Sequence, residues 1–445
     1  MPKYLKKANP PVVATDSASA KPVSQMLEDI RKRGESEVRA LNLAFDQWDG
    51  DVVVSAAALN SAEKRLPVTV ADDIRFAHAR VTAFAARQRE SLTEFEMELA
   101  EGMVVGQRLV PVSTAGCYVP GGRYAHAASA IMSAATAKAA GVENIIAATP
   151  PGGEFGIHPA ILFALKLSGA RTVLAAGGIQ GIASLAFGLF TGDRADIIVG
   201  PGNRYVAEAK RLLFGEVGID VIAGPTESLV IADESADEHL IAADLAGQAE
   251  HGVDSPVWLI TTSRKVAEAV LNEMPRTIAA LPEPARGVAE QAWSNYGEVV
   301  LVDNRDEACR VSDRYAPEHL HVHAQDLDWW LRNLKNYGSL FLGEETTVTF
   351  GDKCSGPNHI LPTRAGARYT GGLSVASFIK VLTWQRMNQQ SVSELAPVAA
   401  RISRLEGMEG HARSGDVRLR KYFPDREFEL ACPGLSRTRI PEDTR

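Results

Sequence analysis

Apolar positions in the first hundred residues recur at helical spacing. Met26, Leu27, Ile30, Val38, Leu41 and Phe45 are separated by charged residues, which predicts an amphipathic helix from about Ser24, with Gly34 as its weak point. A second helical pattern runs over about 70–89. From Met103 the texture changes. Short β-branched runs at 145–148, 172–175, 196–199 and 219–222 alternate with helical runs at about 125–140, 158–168, 180–189 and 203–213. The pattern then restarts, with strand-like runs at 257–261, 299–302, 320–323 and 339–342 separated by helical runs at about 264–274, 305–314 and 325–334. Such alternation predicts parallel sheets flanked by helices, here as two α/β units. A last helical segment spans about 391–421, and the tail beyond it, mixing Pro and charge, is expected to lie over another surface or to be partly disordered.

The expected organisation is therefore a helical segment over 1–102, α/β units over 103–235 and 236–385, and a helical segment with tail over 386–445. The uncharged run 172–190 is long enough to be weighed as a membrane span. Gly177, Gly178, Gly181, Gly188 and Gln180 inside it predict instead a buried strand, a tight turn and a packed helix.

Composition narrows the function classes. The chain has 445 residues, with 47 Lys plus Arg against 55 Asp plus Glu, a formal charge of −8. That balance lacks the basic footprint of a nucleic-acid binder. Cys117, Cys309, Cys354 and Cys432 form no C-x-x-C pair and read as reduced thiols of a cytoplasmic protein. The basic N-terminus has no apolar run behind it, so no secretory signal and no membrane partner is expected.

Several clusters have residue types suited to chemistry. Gly116-CYVPGG, Ala176-GGIQG and Val199-GPGNRY put small residues between a strand and a helix, where a backbone can approach a phosphate. His319, His321 and His323 alternate, so on a strand all three share a face; a metal site and an edge or surface with one functional His are both open readings. Gln248 and His251 share a helix face, Asp352 and His359 a Gly/Pro loop, and Glu406 and His411 a C-terminal run. Adjacent Glu318 and His319 suit an acid/base unit, or a surface Glu beside a buried His.

Read together, GCYVPGG, AGGIQGIASLAFG, DIIVGPGNRYVAEAKR, GIDVIAGPTESLVIAD, DLAGQAEH, APEHL, GD-x-x-SG-x-NH-x-LPT and a closing EG-x-x-x-H resemble the histidinol dehydrogenase family, in the family's order from about residue 105 to 420. The resemblance implies an NAD-dependent, zinc-containing α/β enzyme with two Rossmann-like parallel-sheet units, helical N- and C-terminal segments, and an intertwined homodimer. It places zinc ligands on Gln248, His251, Asp352 and His411, and an acid/base pair on Glu318 and His319. It places NAD contacts on Tyr118, Gln180 and Asn203, and substrate contacts on Thr226, His359 and Glu406. Glu406 and His411 would complete the partner subunit's site, and His321 and His323 would be bystanders. The implied reaction is a four-electron oxidation of a primary alcohol to a carboxylate.

The chain departs from the family's usual pattern at Thr226, Lys353, Pro357, Arg123 and His126. Arg123, His126 and Lys353 add positive or donor groups, which suit an anion better than the cationic histidinol. The run SGPNHILPT-x-x-x-ARYTGGLS is similar to that of the subgroup that oxidises 2,3-dihydroxypropane-1-sulfonate to sulfolactate. The expected substrate is therefore a small anionic alcohol, bound in part by Arg123, His126 and Lys353, with L-histidinol as the alternative.

Overall fold

A computed structural model of the chain describes residues 1–9, 17–121, 125–152 and 156–431. In chain order its strands are β1 (Lys3–Lys6), β2 (Phe95–Ala100), β3 (Met103–Pro111), β4 (Thr114–Tyr118), β5 (Asn144–Thr149), β6 (Thr172–Ala175) and β7 (Ile197–Val199). There follow β8 (Gly218–Ile219), β9 (Ser228–Ala232), β10 (Val257–Thr261), β11 (Glu298–Leu301), β12 (His319–His323), β13 (Ser339–Leu342) and β14 (Ile379–Met387).

One sheet has the order β6-β5-β4-β7-β8 and is parallel throughout. A second has the order β1-β11-β10-β9-β12-β13 and is parallel except for β1, which pairs antiparallel with β11. Helices cover the faces of both, so central strands such as β4 and β9 are buried at every position. The alanine-rich helix Ala127–Ala140 is buried almost all round, and Gly141, at φ 93°, ends it in the left-handed conformation.

In each parallel sheet the chain runs outward from a central strand and then returns to that strand's other side. The first sheet reverses between β4 and β7, the second between β9 and β12. Such a reversal opens a crevice at the carboxyl ends of the two strands, the usual ligand position of open α/β sheets.

The chain divides into two compact units, residues 1–91 with 111–379, and residues 92–110 with those from 380 onward. Both parallel sheets belong to the first. The second unit carries the sheet β14-β3-β2 and the paired helices Gln389–Leu405 and Glu409–Tyr422. Arg404 ties these helices together, its Nη2 lying 2.6 Å from Asp416 Oδ2.

The structure differs from the sequence expectation at several places. Phe95–Ala100 is a strand, where helix was expected: FEMELA alternates strictly, and the alternation was masked by its exposure on both faces. Lys3–Lys6 adds an edge strand to the second sheet, anchored where Lys6 Nζ donates to the Gly297 carbonyl at 2.9 Å. The run 219–222 shortens to Gly218–Ile219, because Asp220 leaves the strand to meet Lys210 and the Gly200 N–H. Among the described residues no helix is long and apolar enough to cross a membrane.

Candidate active site

The crevice beside β4 and β7 is made of small residues. Gly200, directly after β7, has φ +120°, and a Cβ there would stand 1.9 Å from the Tyr118 carbonyl oxygen. Only glycine lets these strand ends lie so close. Helices Gly178–Phe187 and Arg204–Leu213 both begin at this edge. Asn203 caps the second, its Oδ1 accepting from the Tyr205 and Val206 N–H groups at 3.0 and 3.1 Å. That leaves the Asn203 amide nitrogen for a ligand.

Tyr118 Oη accepts the Gly178 N–H at 2.9 Å, and Gln180 Nε2 donates to Asp46 at 3.1 Å. Burial pushes the Tyr118 hydroxyl up to about 12, so it keeps its proton and can also donate. Tyr118, Gln180 and Asn203 share one cavity of about 640 Å³ with Gly121, Gly178 and Gly202. Two helix N-termini beside glycine turns suit the phosphates of a dinucleotide. Asp46, which orients Gln180, was not foreseen; it lies more than a hundred residues away in sequence and only the fold brings it near.

Glu318 and His319 stand at the other kind of edge, the amino ends of β9 and β12. Glu227, directly before β9, organises them. Its N–H donates to Glu318 at 3.0 Å, and its carbonyl accepts from both the backbone N–H and the Nδ1 of His319, at 3.2 and 3.1 Å. A carbonyl only accepts, so Nδ1 carries a proton in either charge state, and Nε2 is where the ring gains or loses its second one. His319 Nε2 is buried without a hydrogen-bond partner and lies 3.7 Å from Asp352 Oδ1. His319, Asp352, Ser355, Asn358 and His359 line a cavity of about 290 Å³.

Burial alone would lower the His319 pKa, but the Glu318 and Asp352 carboxylates and the Glu227 carbonyl outweigh it and lift it to about 9. Burial raises Glu318 to about 7 against the pull of His319. The two titrate as a coupled pair, suited to passing a proton near neutrality. Glu227 was not singled out from sequence. The only signal was its place beside Thr226, which is half-buried at the end of the same turn.

Gln248 and His251 close the helix Glu238–Ala249, with the His251 N–H reaching the Gln248 carbonyl at 3.3 Å. Gln248 is 4 % exposed, yet its Oε1 has no hydrogen-bond partner. A buried acceptor left bare needs an explanation, and a cation supplies one. Desolvation lowers the His251 pKa, Asp352 raises it, and His319, Lys353 and His126 lower it, so these groups share one electrostatic neighbourhood. Amide oxygen, imidazole and carboxylate form an N/O donor set that fits zinc.

His126 directly precedes the helix Ala127–Ala140, where burial and then Lys353 hold its pKa down. His359 uses both ring nitrogens, Nδ1 on the Asp352 carbonyl at 2.8 Å and Nε2 on Ser129 Oγ at 3.1 Å. It therefore ties Asp352, which lies in the short helix Val348–Lys353 and not in the expected loop, to the helix Ala127–Ala140. Arg123 lies outside the described residues. Glu406 and His411 belong to the second compact unit: Glu406 follows the helix Gln389–Leu405, His411 lies in the first turn of Glu409–Tyr422, and both are exposed. His321 and His323, expected to be bystanders, are buried at the far end of β12, where they meet Asp244.

A glycine-lined crevice at one switch point and a buried His–Glu pair beside an N/O donor set define an α/β dehydrogenase. The family model for histidinol dehydrogenase matches residues 12–419, and the chain belongs to that family. It is 52 % identical over 431 residues to a sulfopropanediol 3-dehydrogenase of Ruegeria pomeroyi, covering 97 % of this chain and 99 % of that one. It is 55 % identical over 415 residues to a histidinol dehydrogenase homolog of the same organism, covering 93 % and 95 %. Its structure matches that of histidinol dehydrogenase from Elizabethkingia anophelis with TM-score 0.86 at 32 % identity, covering 93 % of this chain and 94 % of that one.

Proposed function

We propose that this dehydrogenase uses NAD and zinc to oxidise (R)-2,3-dihydroxypropane-1-sulfonate to (R)-sulfolactate in two successive two-electron steps. The observation that carries the substrate is the 52 % identity, over nearly the full length of both chains, to a protein described as a sulfopropanediol 3-dehydrogenase. Lys353 and His126 near His251 support it, since a sulfonate needs cations or donors that histidinol does not.

In balance, RCH2OH, two NAD+ and water give RCOO−, two NADH and three protons. When bound, NAD would accept hydride and zinc would polarise the substrate oxygen. Tyr118, Gln180 and Asn203 hold the dinucleotide. Gln248, His251 and Asp352 supply the cation's donors, with His411 from the partner subunit of a homodimer, as Glu406 is for the substrate. In its neutral form His319 takes the alcohol proton at Nε2, its ring fixed through Nδ1 by the Glu227 carbonyl. Glu318 then helps to take the proton from the water that adds to the aldehyde. Thr226 contacts the substrate, His359 steadies Asp352, and Arg123, His126 and Lys353 receive the sulfonate.

The test is to offer the zinc-loaded enzyme the sulfonate diol and L-histidinol separately and to follow NADH. The expected result is about two NADH per diol consumed. Rapid turnover of histidinol with none of the diol would overturn the substrate assignment.

A further inference from the structure

We propose that Asp244, His321 and His323 form a second divalent-cation site, a two-imidazole, one-carboxylate set suited to zinc, distinct from the donor set around Gln248.

The three ligand atoms form a nearly equilateral triangle. His321 Nδ1 lies 3.1 Å from Asp244 Oδ2, His323 Nε2 lies 3.2 Å from the same oxygen, and the two nitrogens are 3.1 Å apart. Zinc–ligand bonds of about 2.0–2.1 Å put neighbouring ligands of a tetrahedron about 3.3 Å apart. The triangle is thus one face of such a tetrahedron, with the fourth corner free for water.

With both imidazoles neutral, the cluster has too few protons for its lone pairs, a deficit that a cation would fill. His321 Nε2 meets the Gly343 carbonyl at 2.8 Å, so it carries a proton and a neutral His321 directs a lone pair at Asp244. His323 Nε2 can bring at most one proton to the centre, and one proton cannot separate all three pairs of lone-pair atoms. If that proton sits on His323 Nδ1 instead, three lone pairs converge. The His321 and His323 side chains are 1 % and 0 % exposed, so water cannot screen this repulsion.

Two of the three ligands also have an outer partner of the kind that orients metal ligands. Thr347 Oγ1 donates to Asp244 Oδ1 at 2.8 Å, and the Gly343 carbonyl holds His321. His323 Nδ1 is buried without a hydrogen-bond partner, with Glu344 Oε1 at 3.9 Å. Asp244 is 17 % exposed, which leaves an entry path.

Position points the same way. His323 ends β12 opposite Ala232, the last residue of β9. The cluster therefore sits at the carboxyl ends of the strands where the second sheet reverses, the crevice that parallel sheets normally give to a ligand. His319 stands at the opposite end of β12, four residues and about 13 Å of strand away. A cation here would pin β12 to the helix Glu238–Ala249, and these two elements carry His319 and Gln248.

Chelator-stripped full-length protein, titrated with Zn2+ and assayed for bound metal, tests the site. The wild type should bind about two zinc ions per chain, Asp244→Asn and His323→Gln about one, Asp352→Asn about one, and Asp352→Asn/His323→Gln none. Co2+ added to Asp352→Asn should give visible ligand-field bands that the double variant lacks. Circular dichroism and thermal unfolding without metal show that each variant folds, and the zinc-dependent rise in Tm should shrink in Asp244→Asn and His323→Gln alike. Stoichiometry unchanged by both substitutions in folded protein would overturn the proposal. A wild type that binds one zinc, lost in Asp244→Asn and His323→Gln and kept in Asp352→Asn, would uphold it and instead remove the cation from the proposed catalytic site.

Discussion

Lys210 and Asp220 are buried together, at 2 % and 0 % side-chain exposure. The ammonium donates to the Asp220 carboxylate and, at 3.0 Å, to the Gly200 carbonyl, while the other Asp220 oxygen accepts the Gly200 N–H at 2.7 Å. The pair thus clamps both sides of the glycine that lets β4 and β7 approach. Lys210→Met should cost about 3–5 kcal/mol, because it leaves a buried carboxylate unpaired. Lys210→Met/Asp220→Leu should cost less than the sum of the single changes, as a double-mutant cycle in urea would read. At the proposed catalytic end, His319→Ala should lower turnover about 100- to 10,000-fold with bound zinc retained. Loss of zinc in that variant would make His319 a ligand and displace it as the base.

Elements were legible where local pattern and tertiary need agree. The runs at 172–175, 257–261 and 339–342 coincide with β6, β10 and β13, because each is a short apolar run, buried in β6 and β10 and half-buried in the edge strand β13. β9, SLVIA, follows so closely on the apolar run before it that no separate strand stood out. Candidate site residues were legible through motif resemblance, and Tyr118, Gln180 and Asn203 do share a cavity. Asp244 was not: its partners lie 77 and 79 residues on, and only the pairing of β12 with β9 brings them close. The helix Gly178–Phe187 carries much of the first core, and Ile182 on it is fully buried. Ile182→Ala should destabilise by about 2–5 kcal/mol, the cost of a buried cavity, measured by urea unfolding. A smaller loss would show that neighbouring alanines collapse into the space.

For the whole molecule, the proposed homodimer makes a sharp expectation. If His411 serves the partner's His319, then His319→Ala and His411→Ala chains are each inactive alone. Mixed after unfolding and refolding together, half the dimers are hybrids with one intact site, so about a quarter of wild-type activity should return. No return would place both residues in a site made by one chain. Chelation should abolish NADH production and lower Tm, and added zinc should restore both.

Asp244 and Gln248 stand four residues apart on the helix Glu238–Ala249, one turn and about 6 Å along its axis. One faces the histidine pair and the other the proposed catalytic donors, so the helix keeps the two clusters in phase. A residue inserted between them would rotate one relative to the other by about 100°. An insertion of a full turn would restore the direction and miss by the rise. The spacing between these two side chains is therefore a fixed length as well as a fixed angle, and neither cluster can be retuned by sliding this helix without detuning the other.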